Sequence, residues 1–155
     1  MTAGVLPIQA LRRLIAQGAL RAVPDILGDQ LQPASLDLRL GTVAYRVRAS
    51  FLAGAGRSVI DRLAEFEMHR VDLTQGAVLE KGCVYVIPLM EHLALPPGLS
   101  AVANAKSSTG RLDLLTRTIT DGGAEFDRIP DGYDARCMPR SVRAAFQCWC
   151  GRVKD

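Results

Sequence analysis

Near the start of the chain, apolar residues recur at helical spacing. Ile8, Leu11, Leu14 and Ile15 share one face between Pro7 and Gly18. Proline suits a first helical turn and glycine suits a stop, so the spacing predicts a short amphipathic N-terminal helix. Residues 23–34 read as loop, punctuated by Pro24, Gly28 and Pro33. From Ser35 to Leu40 the period changes to two: Leu36, Leu38 and Leu40 face one side, Ser35, Asp37 and Arg39 the other. Gly41 ends that strand, and Thr42–Val47 is predicted as its hairpin partner. Residues 53–58 (AGAGRS) read as a flexible stretch without the G-x-G-x-x-G spacing of a dinucleotide site. Further short strands are predicted at 77–79, 83–88 and 99–103, with turns at Gly76, Lys81–Gly82 and Pro96–Gly98. Many short strands between turn signals predict a mainly β domain of barrel or jelly-roll type. There is no internal repeat and no low-complexity tract.

Composition narrows this picture. At 155 residues the chain is the size of one domain and can bury a core. Apolar residues make up 48% and charged residues 23%, ordinary for a soluble globular protein. No apolar run approaches the roughly 18 residues that span a bilayer. Arg12 and Arg13 interrupt the N-terminal apolar segment, unlike a secretory signal. The expectation is a cytoplasmic protein with no membrane partner. The net charge of +3 is unevenly placed. Residues 136–155 hold Arg136, Arg140, Arg143, Arg152 and Lys154 against Asp155 alone, a net +4 that leaves −1 for the rest. A basic patch confined to a terminal segment argues against nucleic acid as a partner. The same segment contains Cys137, Cys148, Cys150 and the single tryptophan, Trp149. That shift predicts a boundary, with a domain over 1–133 and an aberrant tail over 134–155.

The segment with the clearest chemistry is Asn104–Leu115, NAKSSTGRLDLL. Ser107 and Ser108 make a good helix start, and free N–H groups there attract phosphate. Arg111, four residues after Ser107, would lie near the serine face, and Lys106 adds a second cation. Spacing alone favours an ordinary capped surface helix. Elsewhere, Asp37 and Arg39 read as ion-pairing residues on the polar strand face, and Glu125 and Asp127 as solvated loop carboxylates. His69 and His92 have no nearby ligand set. Cys148-Trp149-Cys150 looks like half a metal site without a second half.

The strand SLDLRLG (Ser35–Gly41) and the segment KSSTGRLDL (Lys106–Leu114), followed by the loop IPDGY (Ile129–Tyr133), resemble in order and separation the signature blocks of deoxycytidine triphosphate deaminases. The resemblance covers roughly residues 6–133. It implies a distorted β-barrel of the dUTPase-like type, with the short N-terminal helix and another short helix after the Ser-Ser motif. It implies a homotrimer with active sites between subunits, and the hydrolysis of dCTP to dUTP and ammonia in dUTP and dTTP precursor synthesis. Lys106, Ser107, Ser108 and Arg111 match the motif residues that bind the triphosphate and position water, with Ser107 and Arg111 as catalytic helpers. Tyr133 is implied as a further substrate contact. Magnesium would accompany the triphosphate. No zinc is expected, since the H-x-E and P-C-x-x-C pattern of zinc deaminases is missing. Two other readings stay open: a deoxyuridine triphosphatase or bifunctional deaminase–triphosphatase of the same fold, and a non-catalytic nucleotide-binding fragment.

The resemblance also implies a glutamate a few residues beyond Tyr133, to move protons between water, ring and leaving ammonia. The chain instead runs DARCMPRSVRAAFQCWCGRVKD. Codons can be chosen for Asp134–Cys150 that read RPLYAEVCPRSFPVLV when entered at the third base of the first. This string contains Leu-Tyr-Ala-Glu followed by an apolar strand. Some positions allow no choice: Met138-Pro139 forces the alanine, Cys148-Trp149 the leucine and Trp149-Cys150 the last valine. The reading is a shifted frame from about Asp134, leaving this chain without its catalytic glutamate, without barrel-completing strands, and inactive.

Overall fold

The computed structural model describes residues 4–134 and the backbone of residues 145–150. In chain order the elements are α1 (Ile8–Ala16), β1 (Leu20–Ala22), a 3-10 turn (Gly28–Gln30), β2 (Leu31–Gln32), β3 (Ser35–Leu36), β4 (Val43–Val47) and α2 (Val59–Phe66). They continue with β5 (Glu67–Asp72), β6 (Val84–Pro88), β7 (Glu91–Leu93), β8 (Ala101–Val102), α3 (Ser107–Arg111), β9 (Leu114–Ile119), β10 (Arg128–Ile129) and β11 (Ala145–Cys150). The fold is mainly β with three α-helices. Its centre is a five-stranded antiparallel sheet in the order β5-β4-β6-β11-β9, flanked by the two-stranded pairs β1-β7, β8-β10 and β2-β3. Among the described residues these sheets do not close into a barrel.

The period-two pattern of β6 explains how the central sheet is covered on both faces. Val86 lies in a core with Val47, Phe51, Val59, Leu63 and Ile119, packed under α2. Tyr85 and Ile87 point the other way, with Ala44, onto Leu73 and Leu79. A separate cluster forms where α1 lays Leu11, Leu14 and Ile15 on Leu20, Leu95, Ile129 and Tyr133. The N-terminal helix thus occurs where its apolar stripe places it, with Pro7 at the N-cap and Gly18 at φ 72° just beyond its end.

Several expectations are corrected. The Ser35–Leu40 alternation yields a ladder only at β3, which pairs with β2, and a single bridge from Leu40 to Leu89. Leu38 and Leu40 stay well exposed, so the alternation does not mark a continuous buried face. β4 is not the hairpin partner of that strand and pairs with β5 and β6 instead. Residues 77–79 are not a strand. Helix α2 and the strands β1, β2, β5, β7, β9 and β10 are not among the expected elements. The signal for α2 was present, since Ser58 caps it by accepting the Asp61 N–H, and Val59, Leu63 and Phe66 have helical spacing. The AGAGRS stretch does not dangle: Ala53 is buried in the core and Ser58 is the cap.

The tail also departs from expectation. β11 lies inside it and is central, pairing with β6 through Ala145–Trp149 and with β9 through Ala145–Cys150. A ladder is made by backbone groups, which any extended segment carries, and both neighbouring edges would otherwise lack a partner. Residues 135–144, where the glutamate was sought, and the side chains of Cys148, Trp149 and Cys150 lie outside the described residues, as do Cys137, Arg152 and Lys154.

Candidate functional site

The sequence-predicted cluster sits on α3, a single turn after β8. Lys106 is at its N-cap, Ser107 and Arg111 are its first and last residues, and the N–H groups of Leu112 and Asp113 close it by donating to the Thr109 and Gly110 carbonyls. Lys106, Ser107, Ser108 and Arg111 are all exposed, on one short surface turn. Ser107 and Arg111, four residues apart, fall on one face. At five residues α3 is too short to supply much dipole, so any attraction for an anion comes from Lys106, Arg111, the two hydroxyls and local N–H groups. Asp113, immediately beyond, adopts φ 58°, the left-handed conformation that turns the chain into β9.

Lys106 is not isolated. Its Nζ donates to Asp37 Oδ2 at 2.6 Å, joining the two segments that sequence reading singled out as signature blocks. Asp37 Oδ2 also accepts from Gln32 Nε2 at 3.3 Å. Beneath Asp37 lies a buried polar clamp. Glu91 on β7, with its side chain 2% exposed, accepts Arg39 Nε at 2.9 Å, the Arg39 N–H at 2.8 Å and Gln30 Nε2 at 2.8 Å. Gln30 Nε2 donates as well to the Asp37 carbonyl, and its Oε1 accepts the Leu27 N–H. Asp37 and Arg39 therefore do form ion pairs, but with Lys106 and Glu91 respectively. Neither Gln30 nor Glu91 was singled out from sequence. The available signal was a single carboxylate within the apolar run Val84–Leu95.

Gly41, which ends the SLDLRLG block, is fixed by packing. Its N–H donates to the Pro88 carbonyl at 2.7 Å, and a Cβ there would lie 2.8 Å from the same oxygen.

Tyr133 has its ring in the cluster under α1, against which Ala103 is also packed. The residue is 8% exposed, and its hydroxyl has no hydrogen-bond partner of normal geometry among the described residues, although the Asp121 amide is near. Burial, reinforced by the Asp121 charge, pushes its pKa up to about 12. Asp121 caps α2 by accepting the Val59 N–H at 2.6 Å, and its other oxygen is likewise unpartnered among the described residues. Burial raises the Asp121 pKa, with Asp61 adding to the rise and the Val59 N–H opposing it. Asp127 is not simply solvated: it takes φ 64°, accepts the Thr118 N–H and pairs with Arg117. Glu125 pairs with Arg128 at the surface.

Among the described residues no group of three or more His, Cys, Asp or Glu is arranged to hold a metal ion. Near the motif stand two carboxylates, Asp37, which already serves Lys106 and Gln32, and Asp113, just beyond α3. No helix among the described residues is long and apolar enough to cross a membrane.

The chain matches the 2'-deoxycytidine 5'-triphosphate deaminase (DCD) N-terminal domain over residues 2–148. It is 54% identical to the crystal structure of 2'-deoxycytidine 5'-triphosphate deaminase from Agrobacterium tumefaciens, with a TM-score of 0.89. That alignment covers 97% of this chain and 43% of the other. It is 27% identical over 144 residues to a "dCTP deaminase, dUMP-forming" of Sulfurihydrogenibium sp., covering 89% of this chain and 76% of that protein. It is 30% identical over 114 residues to a dCTP deaminase of Halorubrum lacusprofundi, covering 70% and 56% respectively. The chain therefore spans less than half the length of the solved structure that it resembles.

Proposed function

We propose that this chain, which belongs to the 2'-deoxycytidine 5'-triphosphate deaminase N-terminal domain family, carries the nucleotide-binding part of a hydrolase that converts dCTP and water to dUTP and ammonia. The observation that carries this reading is the family match across residues 2–148 together with the exposed turn on which Lys106, Ser107, Ser108 and Arg111 stand together. Two cations and two hydroxyls on one turn suit a triphosphate, and a guanidinium can grip phosphate oxygens in pairs. Ser107 and Arg111 would further position the attacking water, and Tyr133 would contact the substrate. Magnesium, bound with the triphosphate, would offset phosphate charge.

Deamination also needs a group that takes a proton from water and delivers one to the ring and leaving nitrogen. No glutamate occurs beyond Glu125 in this sequence. The chain as written therefore binds dCTP without turning it over, because residues 134–155 are read out of frame. The intact protein would act as a homotrimer in the cytoplasm, with a distorted barrel.

Two measurements test this. In a calorimetric titration with dCTP and magnesium, Arg111→Ala should weaken binding far more than Arg13→Ala, and equal effects would remove the site assignment. Ammonia release should then be compared among three proteins: this chain, a version whose tail follows the shifted reading, and that version with its restored glutamate changed to glutamine. Only the second should turn over, by at least about 10²–10⁴-fold above the others, the usual worth of a general acid–base group. Turnover by the unrepaired chain at a similar rate would overturn the proposal of inactivity. The name of the Sulfurihydrogenibium relative favours a second reading, in which the repaired protein forms dUMP. Pyrophosphate released alongside ammonia would establish it.

A further inference from the structure

We propose that Asp37 is a positioning residue for the nucleotide site, holding the Lys106 ammonium at the start of α3 while leaving it free to engage phosphate. The inference rests on the triphosphate reading of Lys106–Arg111 given above. An ammonium has three N–H donors, and Asp37 Oδ2 occupies one of them at 2.6 Å. Two donors remain for phosphate oxygens, so Lys106 can meet a triphosphate without leaving Asp37. The advantage is entropic. A free lysine loses rotamer entropy on immobilisation, and an ammonium already held in place has lost part of it before the ligand arrives.

Asp37 can act as a fixed point because its own segment is anchored. The Gln30 side chain ties the Asp37 carbonyl to the Glu91 carboxylate, and the Asp37 N–H donates to the Gln30 carbonyl at 2.9 Å. Two residues on, Arg39 is held to Glu91 by both its main chain and its guanidinium. Gln32 Nε2 reaches the same Asp37 oxygen that Lys106 uses. The buried Glu91 clamp thus fixes the backbone on either side of Asp37, and Asp37 passes that fixity to an exposed cation. It also places the two signature blocks, 69 residues apart in sequence, in direct contact.

The test is a double-mutant cycle on the full chain, read by calorimetric titration with dCTP and magnesium and by thermal unfolding of each protein. Lys106→Ala weakens binding. Asp37→Ala weakens it by about two- to fivefold, the range of an exposed ion pair, without moving the unfolding midpoint appreciably. The double variant binds no more weakly than Lys106→Ala alone, because Asp37 acts through Lys106. Tighter binding by Asp37→Ala would mean that Asp37 competes with phosphate for the lysine and would overturn the proposal. Additive losses would overturn it too, since Asp37 would then act independently. If Asp37→Ala unfolds the chain, Asp37→Asn, which keeps the acceptor oxygen and removes the charge, is judged by the same cycle. Failure of the underlying reading has a different signature: no dCTP binding by the unaltered chain, or no effect of Lys106→Ala.

Discussion

The Glu91 carboxylate and the Arg39 guanidinium meet at 2.9 Å with the acid almost wholly buried and the base 22% exposed. The pair joins β7 to the segment after β3, and Glu91 receives two further N–H bonds at the same point. A buried carboxylate in such a place is tolerated because both of its oxygens meet donors, one of them a cation.

Removing that charge should therefore be expensive. Glu91→Gln keeps the shape but turns an N–H₂ toward one or more of its donors and leaves Arg39 without a counter-ion. The expected loss is about 3 kcal/mol, the scale for breaking one partner of a buried pair. Urea denaturation should show a lower midpoint with little change in slope. A midpoint unchanged from the parent chain would mean that the clamp contributes nothing to stability.

Gly41→Ala should destabilise through a single contact. Its Cβ would stand 2.8 Å from the Pro88 carbonyl oxygen, a backbone atom that cannot rotate away. The bridge at Leu40–Leu89 and the Gly41–Pro88 bond would have to shift together. Overpacking of this kind costs about 1–3 kcal/mol. Gly4→Ala, with open space around the added carbon, is the control that should lie near zero.

Asp121 sets a pH dependence. Its folded pKa is raised, chiefly by burial, so the folded state holds the proton more strongly than the unfolded chain does. The contribution to stability is full below the ordinary aspartate range and is lost as pH rises through the raised folded value. Asp121→Asn should accordingly raise the unfolding temperature near neutral pH, with a gain that shrinks on acidification into the ordinary aspartate range. A gain that grows toward acid pH would reverse the sign and refute the assignment.

Truncation after Asp134 tests the centre of the sheet. It would remove β11 and leave β6 and β9 with facing edges unpaired. Open edges and exposed apolar surface promote association between copies. The shortened chain should lose its cooperative thermal transition and sediment as aggregates. A sharp transition close to that of the full chain would show that β11 adds nothing.

The local pattern was enough for α1, for β6 and for the turn at α3, because each depends on contacts a few residues apart. Pro7, the 3–4 spacing up to Ile15 and Gly18 describe a helix whatever surrounds it. The motif Lys106–Arg111 was likewise visible, since its residues are neighbours in sequence. What sequence could not provide was pairing. The Ser35–Leu40 alternation describes a strand but does not say which strand it meets, and its ladder covers only two residues, with Arg39 beyond it bonded to Glu91. Gln30 and Asp121 carry no local signature, and Glu91 shows only as a lone carboxylate in an apolar run, because the partners of a buried carboxylate or amide are brought from distant segments. The tail makes the same point in reverse. Its side-chain pattern gave no reason to expect a strand, yet backbone N–H and C=O groups pair wherever two open edges wait for them, and that requirement belongs to the sheet rather than to residues 145–150.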